Sequence, residues 1–348
     1  MNTTEQQASN DWDVADILIF STAYLPDSYK GKMLARARQL LDFGARVAAL
    51  LSLASVFPEP EMTALCNEAY ALAGQIENPW VRVRSLSEVY DVLPPAHKDR
   101  FLELALTSVA EITNDWHKRR ALAPLARFLS EEQAAQAAEM AQTIEDPQTR
   151  TEVFSRYARV LSEEERLATF QQVPEIVDEA ARVSTMLAFL PHLPDEEKNL
   201  ALTWLPEVKQ TAPRIQALTG LSQHFSDHKE AFVQEALALT QGITDEMDRM
   251  YTLMSLLSHL PEPEKAATLA QLSKIVEEIE DPAFKAGPMR MLARFAPKDK
   301  KNEVWQEVLT AVRQIEGFRR ATMLCVLLSD LPEETRPAIL DEILAEIQ

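Results

Sequence analysis

One turn recurs through the whole chain and constrains its fold more than anything else in it. An apolar residue followed by Pro or Ser, then usually by acidic residues, occurs at Leu25-Pro26, Phe57-Pro58, Leu93-Pro94, Leu129-Ser130, Leu161-Ser162, Leu193-Pro194, Phe225-Ser226, Leu260-Pro261, Ala296-Pro297 and Leu331-Pro332. Successive turns lie 32 to 36 residues apart. A period of that length is the mark of stacked supersecondary units, each burying its apolar face against the next.

Taking the Pro or Ser of each turn as position zero aligns the rest of the unit. Position −8 is Leu18, Leu50, Leu86, Leu122, Phe154, Met186, Leu218, Leu253, Met289 or Leu324, and position −1 is almost always large and apolar. That spacing marks the buried face of a helix. Position −16 holds Asp42, Asn78, Asn114, Asp146, Asp178, Asp245 and Asp281. Their side chains can accept a hydrogen bond from the free N–H groups that open a helix. In three units a proline follows, as in Asp146-Pro147, at the first helical position where it forfeits no hydrogen bond. After the turn, runs such as Ser130-Glu131-Glu132 and Pro194-Asp195-Glu196 place carboxylates at the positive end of a second helix. Each unit is thus predicted to be an antiparallel helical hairpin. The whole is predicted to be all-α, a solenoid of about ten such hairpins: residues 1–11 are a flexible lead, and 12–348 a single repeat domain.

Composition agrees. Seven glycines and 7% aromatics in 348 residues leave little of the turn and strand chemistry that a sheet requires. The net charge of −19 argues against general nucleic-acid binding, which depends on cations that displace condensed counterions. Cys66 and Cys325 stand far apart in a linear stack, so no disulfide between them is expected, in keeping with a reducing compartment. The polar first residues and the lack of a long apolar run predict a cytoplasmic chain without a membrane segment.

The segments Glu145-Asp146-Pro147-Gln148-Thr149-Arg150 and Glu77-Asn78-Pro79-Trp80-Val81-Arg82 resemble the HEAT-repeat motif, an Asp-Pro turn followed by Arg. The likeness spans roughly residues 12 to 348. It implies an α-solenoid of the kind used as scaffold, adaptor or regulatory subunit. The Leu-Pro-Glu-Glu turns also look like repeats carried by large bacterial signalling and defence proteins beside NTPase or protease domains. That likeness implies a separate protein partner, such as an effector or a protease.

Three features invite a functional reading. A basic residue stands at −12 in nine units: Arg46, Arg82, Lys118, Arg150, Arg182, Arg214, Arg249, Lys285 and Arg320. Such regularity reads as mortar, bonding to neighbouring caps and carbonyls along the stack. Positions −10, −6 and −3 share the open face of the first helix. In three consecutive units this face carries Arg84, Arg120, Arg127, Arg156 and Arg159 against Glu88, Asp91 and Glu152, a local basic excess in an acidic protein. Those five arginines are the candidate partner-binding residues; the alternative is that they merely pair with the three carboxylates. His192, His224 and His259 all occupy −2, which is read as favourable placement at a helix C-terminus rather than a metal site.

Pro174 and Pro206 should end or kink the second helix of their units, with a local change of curvature. Among the tryptophans, an exposed one would be a natural anchor for a partner. No phosphate-binding glycine loop, paired-His metal motif or nucleophile elbow occurs, so no catalytic residue, metal or cofactor is expected. Three readings follow: a non-enzymatic protein-binding scaffold; a regulator that sequesters an effector until cleaved, with residues 297–302 an accessible segment; and a nucleic-acid enzyme on a HEAT-like frame, against which the charge argues.

Overall fold

The computed structural model describes residues 3–296 and 300–347, with side chains from residue 10 onward. Among these residues there are twenty α-helices and no strand, packed in consecutive neighbouring pairs as an all-α, solenoid-like arrangement. The first helices of the ten hairpins are α1 (Thr3–Ser21), α3 (Phe43–Ala54), α5 (Pro79–Ser87), α7 (Asp115–Leu125), α9 (Pro147–Tyr157), α11 (Glu179–Phe189), α13 (Thr211–Leu221), α15 (Glu246–Leu256), α17 (Pro282–Phe295) and α19 (Gly317–Leu327). Their partners are α2 (Asp27–Arg38), α4 (Glu61–Ala73), α6 (Pro95–Glu111), α8 (Glu131–Gln142), α10 (Glu163–Phe170), α12 (Asp195–Trp204), α14 (Lys229–Gln241), α16 (Glu262–Glu278), α18 (Lys301–Val312) and α20 (Arg336–Glu346).

The hairpin boundaries follow local chemistry. All seven Asp and Asn residues at −16 are N-caps whose side chains accept from a backbone N–H two or three residues on, as Asp146 does from Thr149 at 2.7 Å. The two later units that carry Gln210 and Glu316 there have no side-chain cap. Ser130 and Ser162 form capping boxes with Gln133 and Glu165, each side chain bonding the other residue's backbone. Where proline occupies the turn, no side chain can cap, and the second helix can start late: α4 begins at Glu61 rather than beside Pro58, and α20 at Arg336. Pro174 and Pro206 lie in 3-10 turns just beyond α10 and α12, so both helices end before them. At the other end, α1 runs helically from Thr3 through the segment expected as a flexible lead. Residues 297–299 of the segment named above as accessible to proteases lie outside the described residues.

The chain divides into two compact units. The first joins residues 1–111 with 278–348. Within it α3 is buried almost all round, because α1, α2, α4 and α5 all pack on it, and its Ala- and Leu-rich sequence has no polar face to keep wet. The same unit brings the two ends of the chain together. Helix α1 packs on α19, Tyr29 Oη donates to Asp341 Oδ1 at 2.5 Å, and Arg36 Nε donates to the Ile347 carbonyl at 2.8 Å. First and last hairpins are therefore neighbours, where a strictly linear order of ten would keep them apart. Cys66 and Cys325 are both buried, free thiols, and burial pushes the Cys325 thiol up to about 12.

The second unit, residues 112–277, stacks α7, α9, α11 and α13 in order. Its core is centred on Phe170, which meets the Phe189 ring edge-on at 5.8 Å and the Trp204 ring at 4.7 Å. No helix among the described residues is long and apolar enough to cross a membrane.

Candidate functional site

The recurrent basic residue at −12 has a specific structural task. Arg46, Arg82, Arg150, Arg182 and Arg214 each reach back to the carbonyl six residues earlier, in Leu40, Ile76, Ile144, Ile176 and Val208 respectively, at 2.7 Å for Arg82 and Arg150. That carbonyl belongs to the apolar residue ending one hairpin, two residues before the next N-cap. The guanidinium lies one turn inside the next helix and so closes the joint between hairpins. Lys118 does related work with its ammonium, donating to Thr143 Oγ1 at 2.6 Å. A second joint was not read in the sequence. Asp115 Oδ2 accepts from both Glu145 N and Asp146 N; Asp11 and Glu179 do the same 30 and 31 residues ahead. The signal was present, since all three stand at −15.

With that basic residue assigned to the joints, the five arginines of the open face separate by their contacts. Arg84, in the first unit, pairs with Glu88 at 2.8 Å and lies 4.0 Å from the centre of the Trp12 ring. Arg159 donates to the Leu129 and Ala126 carbonyls of the previous hairpin at 2.6 and 3.3 Å. These two serve the packing. Glu152, which could have neutralised Arg156 or Arg159, is taken by Arg119 at 2.6 Å instead. Arg119 escaped the sequence reading because it lies one position off the face; its spacing of 33 residues from Glu152 was the only clue.

Arg120, Arg127 and Arg156 are exposed, on α7, at its end, and on α9. Arg120 lies over the Trp116 ring, 4.6 Å from its centre, and Arg127 over Phe128 at 4.4 Å. Trp116 is 50% exposed, unlike Trp305, which is buried, and it stands one turn before Arg120 on the same face of α7. Pro124 sits between Arg120 and Arg127 within α7 and provides no amide hydrogen for the Arg120 carbonyl. Arg156 has no hydrogen-bonding or ionic partner among the described residues. Flat cationic groups beside a half-exposed indole on two packed helices can bind carboxylates in pairs of hydrogen bonds while the ring covers apolar surface.

The three histidines at −2 are half-buried, and burial followed by nearby Arg or Lys charges lowers the pKa of each. Among the described residues no cluster of His, Cys, Asp or Glu has the grouping of a metal site. No protein-family model matches the chain, and no curated protein matches its sequence.

Proposed function

We propose that this chain is a non-enzymatic, HEAT-like scaffold or adaptor whose α7–α9 face docks an acidic segment of another protein. The observation that carries the reading is the grouping of exposed Trp116, Arg120, Arg127 and Arg156 in a chain of net charge −19. In such a field an acidic partner is repelled over most of the surface, so a cationic patch offers it a place to dock. Trp and Arg are also the residues that most often dominate binding energy at interfaces. Arg84 pairs with Glu88 and Arg159 holds a joint to the previous hairpin, whereas Arg120, Arg127 and Arg156 stand exposed on this face.

Affinity purification with the wild-type chain and with Arg120→Glu/Arg127→Glu tests this, with partners identified by mass spectrometry. A partner recovered by the wild type should be lost from the variant while the far-UV circular dichroism stays unchanged. Equal recovery by both removes this face from the function.

A further inference from the structure

The first unit holds a cleft whose walls carry opposite charge. From Asn10 onward, α1 contributes Asp11, Asp13 and Asp16 and no Lys or Arg. Helices α17 and α19 contribute Lys285, Arg290, Arg294, Arg319 and Arg320 and no Asp or Glu. Although α1 packs on α19, these charges do not neutralise each other at the cleft among the three helices, which has a volume of about 450 Å³. Asp13 lines it from α1, Arg290 from α17 and Arg319 from α19, and no ion pair joins Asp13 to either arginine. The volume falls within the range of ordinary ligand pockets, about 300–1,000 Å³.

The surrounding bonds leave one group of each sign uncommitted. Asp11 holds the amides of Leu41 and Asp42, Arg290 and Arg294 share Asp330, and Arg320 pairs with Glu346. Asp13 makes neither a hydrogen bond nor an ion pair among the described residues, and Arg319 meets only the Phe284 ring, 5.6 Å from its centre. Burial raises the Asp13 pKa, the mark of a carboxylate that has given up water without gaining a cation. The rest of the lining is mostly apolar, from Phe318, Met323 and Val326. Thr322, the remaining polar residue there, spends its hydroxyl hydrogen on the Phe318 carbonyl at 3.0 Å. Gly287 keeps the space open, since a Cβ added to it would meet nothing within 4 Å.

A ligand of one sign gains from one wall and is opposed by the other. An anion on Arg319 brings like charge to Asp13, and a cation on Asp13 brings like charge to two guanidiniums. A dipolar ion suits both walls: its ammonium offers three donors to a carboxylate, and its own carboxylate accepts paired bonds from a guanidinium. An apolar body between the two charges would cover the Phe318, Met323 and Val326 side chains. We propose that the α1–α17–α19 cleft binds a free α-amino acid with an apolar side chain. The site lies in the first unit and does not depend on the reading of the α7–α9 face.

The test is an NMR titration of the ¹⁵N-labelled full chain with L-leucine and three relatives. N-acetyl-leucine lacks the ammonium, leucinamide lacks the carboxylate, and glycine keeps both charges without the apolar body. Leucine should shift amides of α1, α17 and α19 along a saturable curve, at least tenfold tighter than any of the three, the scale of one lost charge-assisted hydrogen bond or one buried aliphatic side chain. Asp13→Asn should weaken leucine about tenfold and leave N-acetyl-leucine unchanged. Gly287→Leu should remove the saturable shift by filling the cleft, with the melting temperature kept because the added side chain enters open space. Binding of N-acetyl-leucine, leucinamide or glycine as tight as that of leucine would overturn the proposal. So would leucine shifts indifferent to both substitutions, or no saturable shift at all.

Discussion

Tyr157 is the sharpest probe of how one hairpin is fastened to the next. Its side chain is fully buried on α9, and its hydroxyl donates to the Leu122 carbonyl of α7 at 2.7 Å. Leu122 falls in the last turn of α7, where carbonyls have no amide four residues ahead within the helix to satisfy them. Tyr157→Phe keeps the ring and creates no cavity, so only the hydrogen bond is lost. A buried carbonyl left without a donor costs about 1–3 kcal/mol, and Phe avoids the desolvation of a hydroxyl, which places the expected loss at about 1–2 kcal/mol. Burial pushes the phenol well above its usual pKa, so it remains a donor and the loss should be the same at pH 6 and pH 9.

Repeat arrays can open locally, so native-state hydrogen exchange is the appropriate assay. Opening at α7 and α9 amides should become roughly five- to thirtyfold more frequent, by the usual factor of ten per 1.4 kcal/mol. Amides of α13 should be unaffected. A change below about 0.3 kcal/mol at α7 and α9 would refute the fastening, since it would lie within the scatter of a neutral surface substitution.

Three further substitutions separate packing from decoration. Gly220→Ala should change stability by less than about 1 kcal/mol, because its Cβ would fall 2.4 Å from Leu187 Cδ1, the tip of a half-buried side chain that can turn aside, while alanine is the better helix former; a loss above about 2 kcal/mol in urea unfolding, relieved by Leu187→Ala, would show that Leu187 is held rigidly. Arg150→Met should cost about 1–3 kcal/mol by stripping the Ile144 carbonyl of a charged donor, whereas Arg156→Met should stay within about 0.5 kcal/mol; similar losses would erase the distinction between joint and face. Burial first, then the charge of Glu88, raises the Asp16 carboxyl to about 6. The folded state therefore holds that proton more tightly than the unfolded chain, so stability falls as pH rises from about 4 to about 6. Asp16→Asn should accordingly raise the melting temperature at pH 7.5 and lose that advantage near pH 4; an equal gain at both would show the carboxylate's charge is not the cause.

The parts legible in the sequence were those set by short-range chemistry. Asp146 and its six counterparts announced helix starts because a cap needs only a small acceptor a fixed distance before an apolar run. The arginines at −12 were legible as mortar, but not their target, since the Ile144 carbonyl becomes an acceptor only once the chain has turned. Trp116 could not be told from Trp305 by sequence: both are large apolar residues at helical positions, and only packing left one half-exposed. The meeting of α1 with α19 had no sequence signature, since a period states which hairpin follows which and not where the two ends of the chain come to rest.

The α7–α9 face is the central claim, and partner affinity across a charge series tests it most directly. The affinity of a partner recovered with the wild-type chain should fall in order through Arg120→Gln/Arg127→Gln to Arg120→Glu/Arg127→Glu, by at least tenfold from end to end, about 1.4 kcal/mol. The gap between them should narrow as salt screens the exposed charges. Equal affinities for all three proteins, with helicity preserved, would contradict the account.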